Sequence, residues 1–420
     1  MKKILALLLA LMLALSCCTV LAEATVAAEE ATAAAEETAT GTDPSTVVGT
    51  SDIGDVTVAD CLSYYNYLVD YYTSMYSTYY GISLTESDLA SLKMVAVQDV
   101  LHRMIIKAAS AELGLDAALT EEDIAGFTER AEKEYNEYIE YYTSDELPAE
   151  QIVEILTESG FSIKTIADDY YLQALDDLFY AHFAESVTVT DEDVQALFDE
   201  KVEAEKAEYE ADGMAFSSAM MDGAQYYYAP EGHRRVKQIL IKTSDDLQSR
   251  MRTVYSEIKT AEASGEEPSA ETVALYEELK AQITVDTKEK ADEVLQALAD
   301  GREFEDVMME YSEDPGSVTE PILSLGYCVA ECNTGWDESF KEAALALENI
   351  GDVSRPAPGI YGVYIIKYIG DVTPGPIDIE AVRDDLYAEL ETEAADNAYS
   401  EAIASYLQTY NAKIDVTGWN

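Results

Sequence analysis

The period of the apolar side chains changes several times over a short distance near residues 291–371, and few folds accommodate that. Ala291, Val294, Leu295 and Leu298 stand at i, i+3, i+4 and i+7, one face of a helix that stops at Gly301. Phe304, Val307, Met308 and Tyr311 repeat the pattern for a second helix, after which Asp314-Pro315-Gly316 forces a turn. Ile322-Leu323-Ser324-Leu325 reads as a short strand-like run ending at Gly326. Phe340, Ala343, Ala344 and Leu347 mark a third helix, stopped by Asn349-Ile350-Gly351. Val353 and then Gly362-Val363-Tyr364-Ile365-Ile366-Lys367-Tyr368 read as two strands. Helices and short strands interleaved on this scale predict a small α+β domain.

The same pieces, taken in order, resemble the parvulin-type peptidyl-prolyl isomerases. Arg235-Val236-Lys237-Gln238-Ile239-Leu240-Ile241 is similar to the family's first strand, and Gly301-Arg302-Glu303-Phe304 to its GxxF between the first two helices. Tyr311-Ser312-Glu313-Asp314 resembles the YSxD segment, and Leu325-Gly326-Tyr327 the LGxF strand. Residues 340–347, Gly351-Asp352-Val353-Ser354 and Tyr361-Gly362-Val363-Tyr364-Ile365-Ile366 resemble the last helix and the closing strands. Seven pieces in family order are far more specific than any one of them.

The resemblance implies rotation about X–Pro bonds, a barrier of about 18–20 kcal/mol that is crossed without breaking a covalent bond. It places the proline pocket at Leu325, Trp336 and Phe340, with Trp336 where many relatives have Met. Plain core packing is the competing reading of these three, since large apolar side chains are usually inside. Asp314 matches the position that carries Cys or Asp in the family. Gln238 stands in place of the usual first-strand His and Tyr364 in place of the last-strand His, while His102, His182 and His233 match neither. Gln and Tyr both donate and accept hydrogen bonds, so the implied catalytic set is Asp314, Gln238 and Tyr364. The alternative is a domain that keeps the peptide groove without the catalysis.

Composition bounds the setting. Met1-Lys2-Lys3 before the apolar residues 4–15 has the form of a signal peptide, with Val20-Leu21-Ala22 as a cleavage site. Ala14-Leu15-Ser16-Cys17 is an imperfect lipobox, so a lipoprotein anchored at Cys17 or Cys18 is the rival to free secretion. Asp and Glu number 83 against 26 Lys and Arg, a formal net charge of -57, which excludes nucleic acid as a partner because phosphate binding needs clustered cations. No EF-hand-type loop is present, the His residues are too scattered for a zinc site, and neither a phosphate loop nor a nucleophile elbow appears. No cofactor is implied. Beyond the leader, Cys61, Cys328 and Cys332 are too few for a disulfide-built fold, although a Cys328–Cys332 bridge is an open pairing.

The domain plan follows in chain order. Residues 23–54, rich in Ala, Thr and Glu, read as a disordered tether. From residue 55 to 230 the period is helical, with helix-start signatures at Thr120-Glu121-Glu122-Asp123 and Thr190-Asp191-Glu192-Asp193. The opening Asp55-Val56-Thr57-Val58-Ala59-Asp60 resembles the start of the helical chaperone domain of SurA- and PrsA-type foldases. Tyr64, Tyr65, Tyr67, Tyr71, Tyr72, Tyr76, Tyr79 and Tyr80 cover several faces of one helix, which reads as core packing, a peptide-gripping groove or sugar-stacking rings. Residues 231–371 form the isomerase-like domain, interrupted at 245–282 by an expected helical hairpin that projects from it. After Pro374-Gly375-Pro376, residues 377–410 return to helix, and the resemblance folds the segment 372–420 back on the N-terminal domain. The expectation is a mostly helical α+β protein. It is a secreted or surface-attached foldase acting on unfolded exported polypeptides with X–Pro bonds. Its alternatives are a catalytically degenerate chaperone and a surface adhesin or glycan binder.

Overall fold

A computed structural model describes residues 42–144, 147–158 and 160–419 of the chain. The expected signal segment, Cys17, Cys18 and the expected tether up to residue 41 lie outside the described residues. The chain divides into two compact units, residues 1–188 with 389–420 and residues 189–388. The fold is mostly helical α+β.

In the first unit, β1 (Val47–Thr50) pairs antiparallel with β2 (Val56–Thr57) and with β9 (Lys413–Ile414). Thr57 then caps α1 (Val58–Tyr80), its backbone N–H donating 2.8 Å to Asp60 Oδ2. Within the expected tether, residues 47–50 are therefore a strand and not disordered chain. Val48 and Val56 are fully buried against Val97 of α2 (Glu86–Leu113), Leu101 and Trp419. A Cβ on Gly49 would lie 3.0 Å from Val97 and 3.1 Å from Val56, so the strand's close seat depends on a residue that composition counts as loop-forming. Helices α3 (Glu121–Tyr142), α4 (Ala149–Glu158) and α5 (Ile163–Ala184) follow. Leu175 and Phe179 of α5 share a core with Ile106 and with Tyr399, Ala402 and Tyr406 of the long C-terminal helix. The tyrosines of α1 divide between roles: Tyr65 is buried on Trp419, whereas Tyr71 and Tyr79 are exposed. Among the described residues no helix is long and apolar enough to cross a membrane.

The second unit opens with α6 (Asp191–Ala211) and α7 (Ala215–Asp222), 40 residues earlier in the chain than the expected boundary near 230. Packing explains the shift: Tyr209, Phe216 and Met220 share a core with Ala229, Cys328 and Val372. β3 (Tyr228–Ala229) pairs with β8 (Gly375–Pro376), closing the entry and exit of the domain on each other. The principal sheet has the order β5-β4-β7-β6, from β4 (Arg234–Lys242), β5 (Tyr327–Val329), β6 (Ala357–Pro358) and β7 (Gly362–Asp371).

Strand alternation sets the two faces of this sheet. Ile239, Ile241 and Ile365 pack under α10 (Lys288–Ala299) and α11 (Phe304–Tyr311) through Val294, Phe304 and Val307. Val236, Leu240, Tyr364, Ile366 and Tyr368 face the other way, against Phe340 and Ala344 of α13 (Glu338–Leu345). Ile322–Leu325 is a single helical turn, α12, where the short apolar run reads as a strand. Val353 makes only an isolated bridge to Lys367. The insertion is a hairpin of α8 (Asp245–Ala263) and α9 (Ala270–Asp286), and it does not project freely. Met251, Val254, Leu279 and Ile283 bury their inner faces on Val363 of β7. Cys328 and Cys332 are both free thiols, Cys328 buried and Cys332 exposed.

Candidate active site

The loop after α11 is stitched to β4, and that places its carboxylate. Glu313 N–H donates 2.8 Å to the Leu240 carbonyl, and Leu240 N–H donates 3.2 Å to Ser312 Oγ. Asp314 is thereby held beside Gln238, whose Nε2 donates to Asp314 Oδ2 at 2.7 Å. The same oxygen accepts the Tyr327 hydroxyl at 2.5 Å, while Oδ1 accepts the Gly316 N–H at 3.0 Å. A Cβ on Gly316 would stand 2.8 Å from Tyr327 Oη, so a glycine is what lets the loop close over the phenol. Gln238 and Tyr327 are buried and Asp314 is half-buried. Burial first, then the bond to Asp314, pushes the Tyr327 hydroxyl well above the usual phenol range, so it serves as a donor.

Tyr364 does not belong to this network. In the β4–β7 register Gln238 lies opposite Ile366, and Tyr364 lies opposite Leu240, two residues further along. Its hydroxyl instead donates to Asp337 Oδ2 at 2.8 Å. That oxygen also accepts the Ile360 N–H at 2.5 Å, and Asp337 Oδ1 accepts the Ser339 N–H at 3.0 Å as the cap of α13. Burial raises the Asp337 carboxyl above its usual range, against the lowering effect of the Ile360, Tyr364 and Ser339 donors. Burial and the Asp337 charge push the Tyr364 hydroxyl up in turn. A Cβ on Gly359 would fall 2.2 Å from Asp337 Oδ2, so this second network too is closed by a glycine.

The apolar half is a chain of rings. Trp336 and Phe340 have centroids 5.1 Å apart, Tyr327 stands edge-on to Trp336 at 5.5 Å and to Phe340 at 6.1 Å, and Phe340 meets Tyr364 at 5.5 Å. Phe340 is buried and Trp336 half-buried. The α12 residue packed on this cluster is Ile322; Leu325 sits half-buried at the end of the turn, because a helical turn points the four residues differently from a strand.

The structure thus gathers Asp314, Gln238, Trp336 and Phe340 and moves Tyr364 to a neighbouring, separate network. One residue of the site and one of the neighbouring network escape sequence reading. Tyr327 counts there as the aromatic of a strand motif, yet its hydroxyl was a signal that a buried ring needs a polar partner. Asp337 carries no such signal, since its acceptors' donors are Ile360 and Tyr364, far along the chain. Among the described residues no group of three or more His, Cys, Asp or Glu is arranged to hold a metal. The site therefore offers a packed group of rings with one hydrogen-bonded carboxylate at its edge.

Residues 229–371 match the PPIC-type PPIase domain. The foldase protein PrsA of Clostridium kluyveri is 32% identical over 126 residues, 30% of this chain and 36% of that protein. PrsA of Clostridium botulinum is 25% identical over 235 residues, 53% of this chain and 67% of its own. PrsA 2 of Listeria monocytogenes is 27% identical over 229 residues, 51% and 67%. The chain spans about a third of the length of the C. kluyveri relative it matches. Among solved structures, PrsA from Bacillus subtilis aligns with TM-score 0.23 and 18% identity over 87% of this chain and 93% of its own. A SurA-like chaperone structure from Campylobacter jejuni aligns with TM-score 0.29 and 13% identity over 80% and 98%.

Proposed function

From a chain that carries a parvulin-type, PPIC-type PPIase domain on residues 229–371 and is PrsA-like in sequence, we propose a foldase that isomerises X–Pro bonds in unfolded exported polypeptides. The observation that carries the proposal is the Asp314–Gln238–Tyr327 network set against the Trp336–Phe340 rings. A planar amide is stabilised by resonance that separates charge, and rotation through the twisted form abolishes it. An apolar slot disfavours the charge-separated planar form relative to water, so the twisted amide gains by entering it. Phe340 and Trp336 supply that slot. Asp314 holds Gln238 and Tyr327 in place at its rim, where their dipoles meet the rotating group.

Tyr364 acts here as a strut: through Asp337 it fixes the start of α13 and hence Phe340. The catalytic set proposed is accordingly Asp314, Gln238 and Tyr327, with Trp336 and Phe340 binding the proline ring and Leu325 at the margin. Binding without turnover is the second reading, favoured by the lack of histidine at 238 and 364. The helical unit, with the exposed rings of Tyr71 and Tyr79, would hold extended clients. The leader sequence supports action outside the cytoplasm, free or tethered by lipid.

Exchange between cis and trans forms of short X–Pro peptides, followed by NMR with the full chain, tests the reading. Faster exchange that Phe340→Ala and Asp314→Ala each slow at least about tenfold supports isomerisation. Unchanged exchange, with peptide still bound at Phe340, leaves the binding reading in its place.

A further inference from the structure

Two polar atoms of the pocket are hidden from solvent and have no hydrogen-bond partner: Trp336 Nε1 and Gln238 Oε1. Buried polar groups are nearly always satisfied, because an orphaned donor or acceptor costs most of its lost hydration. These two flank the same residue. Gln238 shares Asp314 Oδ2 with the Tyr327 hydroxyl, and the Trp336 ring stands edge-on to the Tyr327 ring. They are also of opposite sense. The indole N–H only donates, and the Asp314 carboxylate, which takes donors only, fixes the Gln238 amide with Nε2 toward it and the acceptor Oε1 away.

A donor and an acceptor on residues that both adjoin Tyr327 complement a peptide backbone, which offers a carbonyl and an N–H. Proline itself has no N–H, so the N–H belongs to a flanking residue, and the residue after proline is the one beyond the rotating bond. We propose that Trp336 Nε1–H donates to a peptide carbonyl beside the proline and that Gln238 Oε1 accepts the backbone N–H of the residue following it. This rests on the peptide-binding reading above. The domain then reads backbone rather than neighbouring side chains, and its substrate class is X–Pro–Y with little demand on X or Y.

The packing shows what must move. Trp336 lies over Phe340 at 5.1 Å, and its neighbours Thr334 and Gly335 are exposed. Trp336 is the half-buried member of the ring chain, so it is the ring that turns aside to admit a proline. In turning it exchanges an unpaired buried N–H for a paired one.

The chain has two tryptophans, Trp336 and Trp419, so indole N–H signals of the ¹⁵N-labelled full chain report Trp336 directly, with Trp336→Phe as assignment. On addition of a blocked Ala-Ala-Pro-Ala-Ala peptide the Trp336 indole proton should shift downfield while that of Trp419 stays. A peptide with an ester in place of the amide after proline should bind about three- to tenfold more weakly, and Trp336→Phe should weaken binding by a similar factor without lowering the unfolding temperature. A stationary Trp336 indole, with backbone amides of residues 229–371 moving, overturns the indole contact; equal affinity for ester and amide overturns the Gln238 contact. If no amide of 229–371 responds to peptide, the peptide-binding reading fails first and this inference falls with it.

Discussion

Asp314 and Asp337 invite comparison, because each is a carboxylate that accepts a tyrosine hydroxyl within one small domain. Asp337 is buried and takes three donors, from Tyr364, Ile360 and Ser339. Asp314 is half-buried and its partners are incomplete: Gln238 keeps an orphaned Oε1, and the adjacent Trp336 an orphaned Nε1. The difference separates framework from site. A fully paired buried network stabilises and rigidifies, whereas the unspent donor and acceptor beside Asp314 are what the proposed peptide contact would complete.

The sharpest way to break this comparison is to remove both acids. Asp337→Ala strips the acceptor from the buried Tyr364 hydroxyl and from two backbone N–H groups, and should lower the domain's unfolding free energy by about 3 kcal/mol or more in urea titration. Asp314→Ala should cost only about 1 kcal/mol by the same measure, yet reduce kcat/KM for X–Pro peptides roughly ten- to a hundredfold. Tyr364→Phe, which leaves Asp337 its backbone donors, should cost about 1 kcal/mol and leave kcat/KM within about twofold.

The smallest effect concerns pH. Burial holds the Asp337 carboxyl above its ordinary 3.8 in the fold. Its contribution is therefore full below the unfolded value and is lost as pH rises through the folded one. Wild type should gain stability relative to Asp337→Asn as pH falls from neutrality toward the ordinary carboxylate range, read as a widening difference in urea midpoint.

Much of this arrangement was legible in the sequence, and the losses have physical causes. Gln238 and Asp314 come together in the sequence only through the family resemblance, which sets them at matched positions of its first strand and YSxD segment, and their side chains do meet at 2.7 Å. Tyr364 was assigned to the wrong acid because strand register and the return of Asp337 from another loop are tertiary facts. Residues 322–325 became a helical turn because a four-residue apolar run has no period of its own. β1 hid in a composition that resembled a tether, since its partners, Val97 and Ile414, lie elsewhere in the chain. The inserted hairpin was expected from its two helical runs, but its seat on Val363 was not, because helix period shows which face is apolar and not what covers it.

The most direct test compares Asp314→Ala with Tyr364→Phe in one X–Pro exchange experiment on the full chain, each variant first checked for folding. The account predicts that Asp314→Ala cuts the acceleration roughly ten- to a hundredfold and Tyr364→Phe keeps it within about twofold. Loss of acceleration in Tyr364→Phe with Asp314→Ala active would place the chemistry at Asp337 and contradict it.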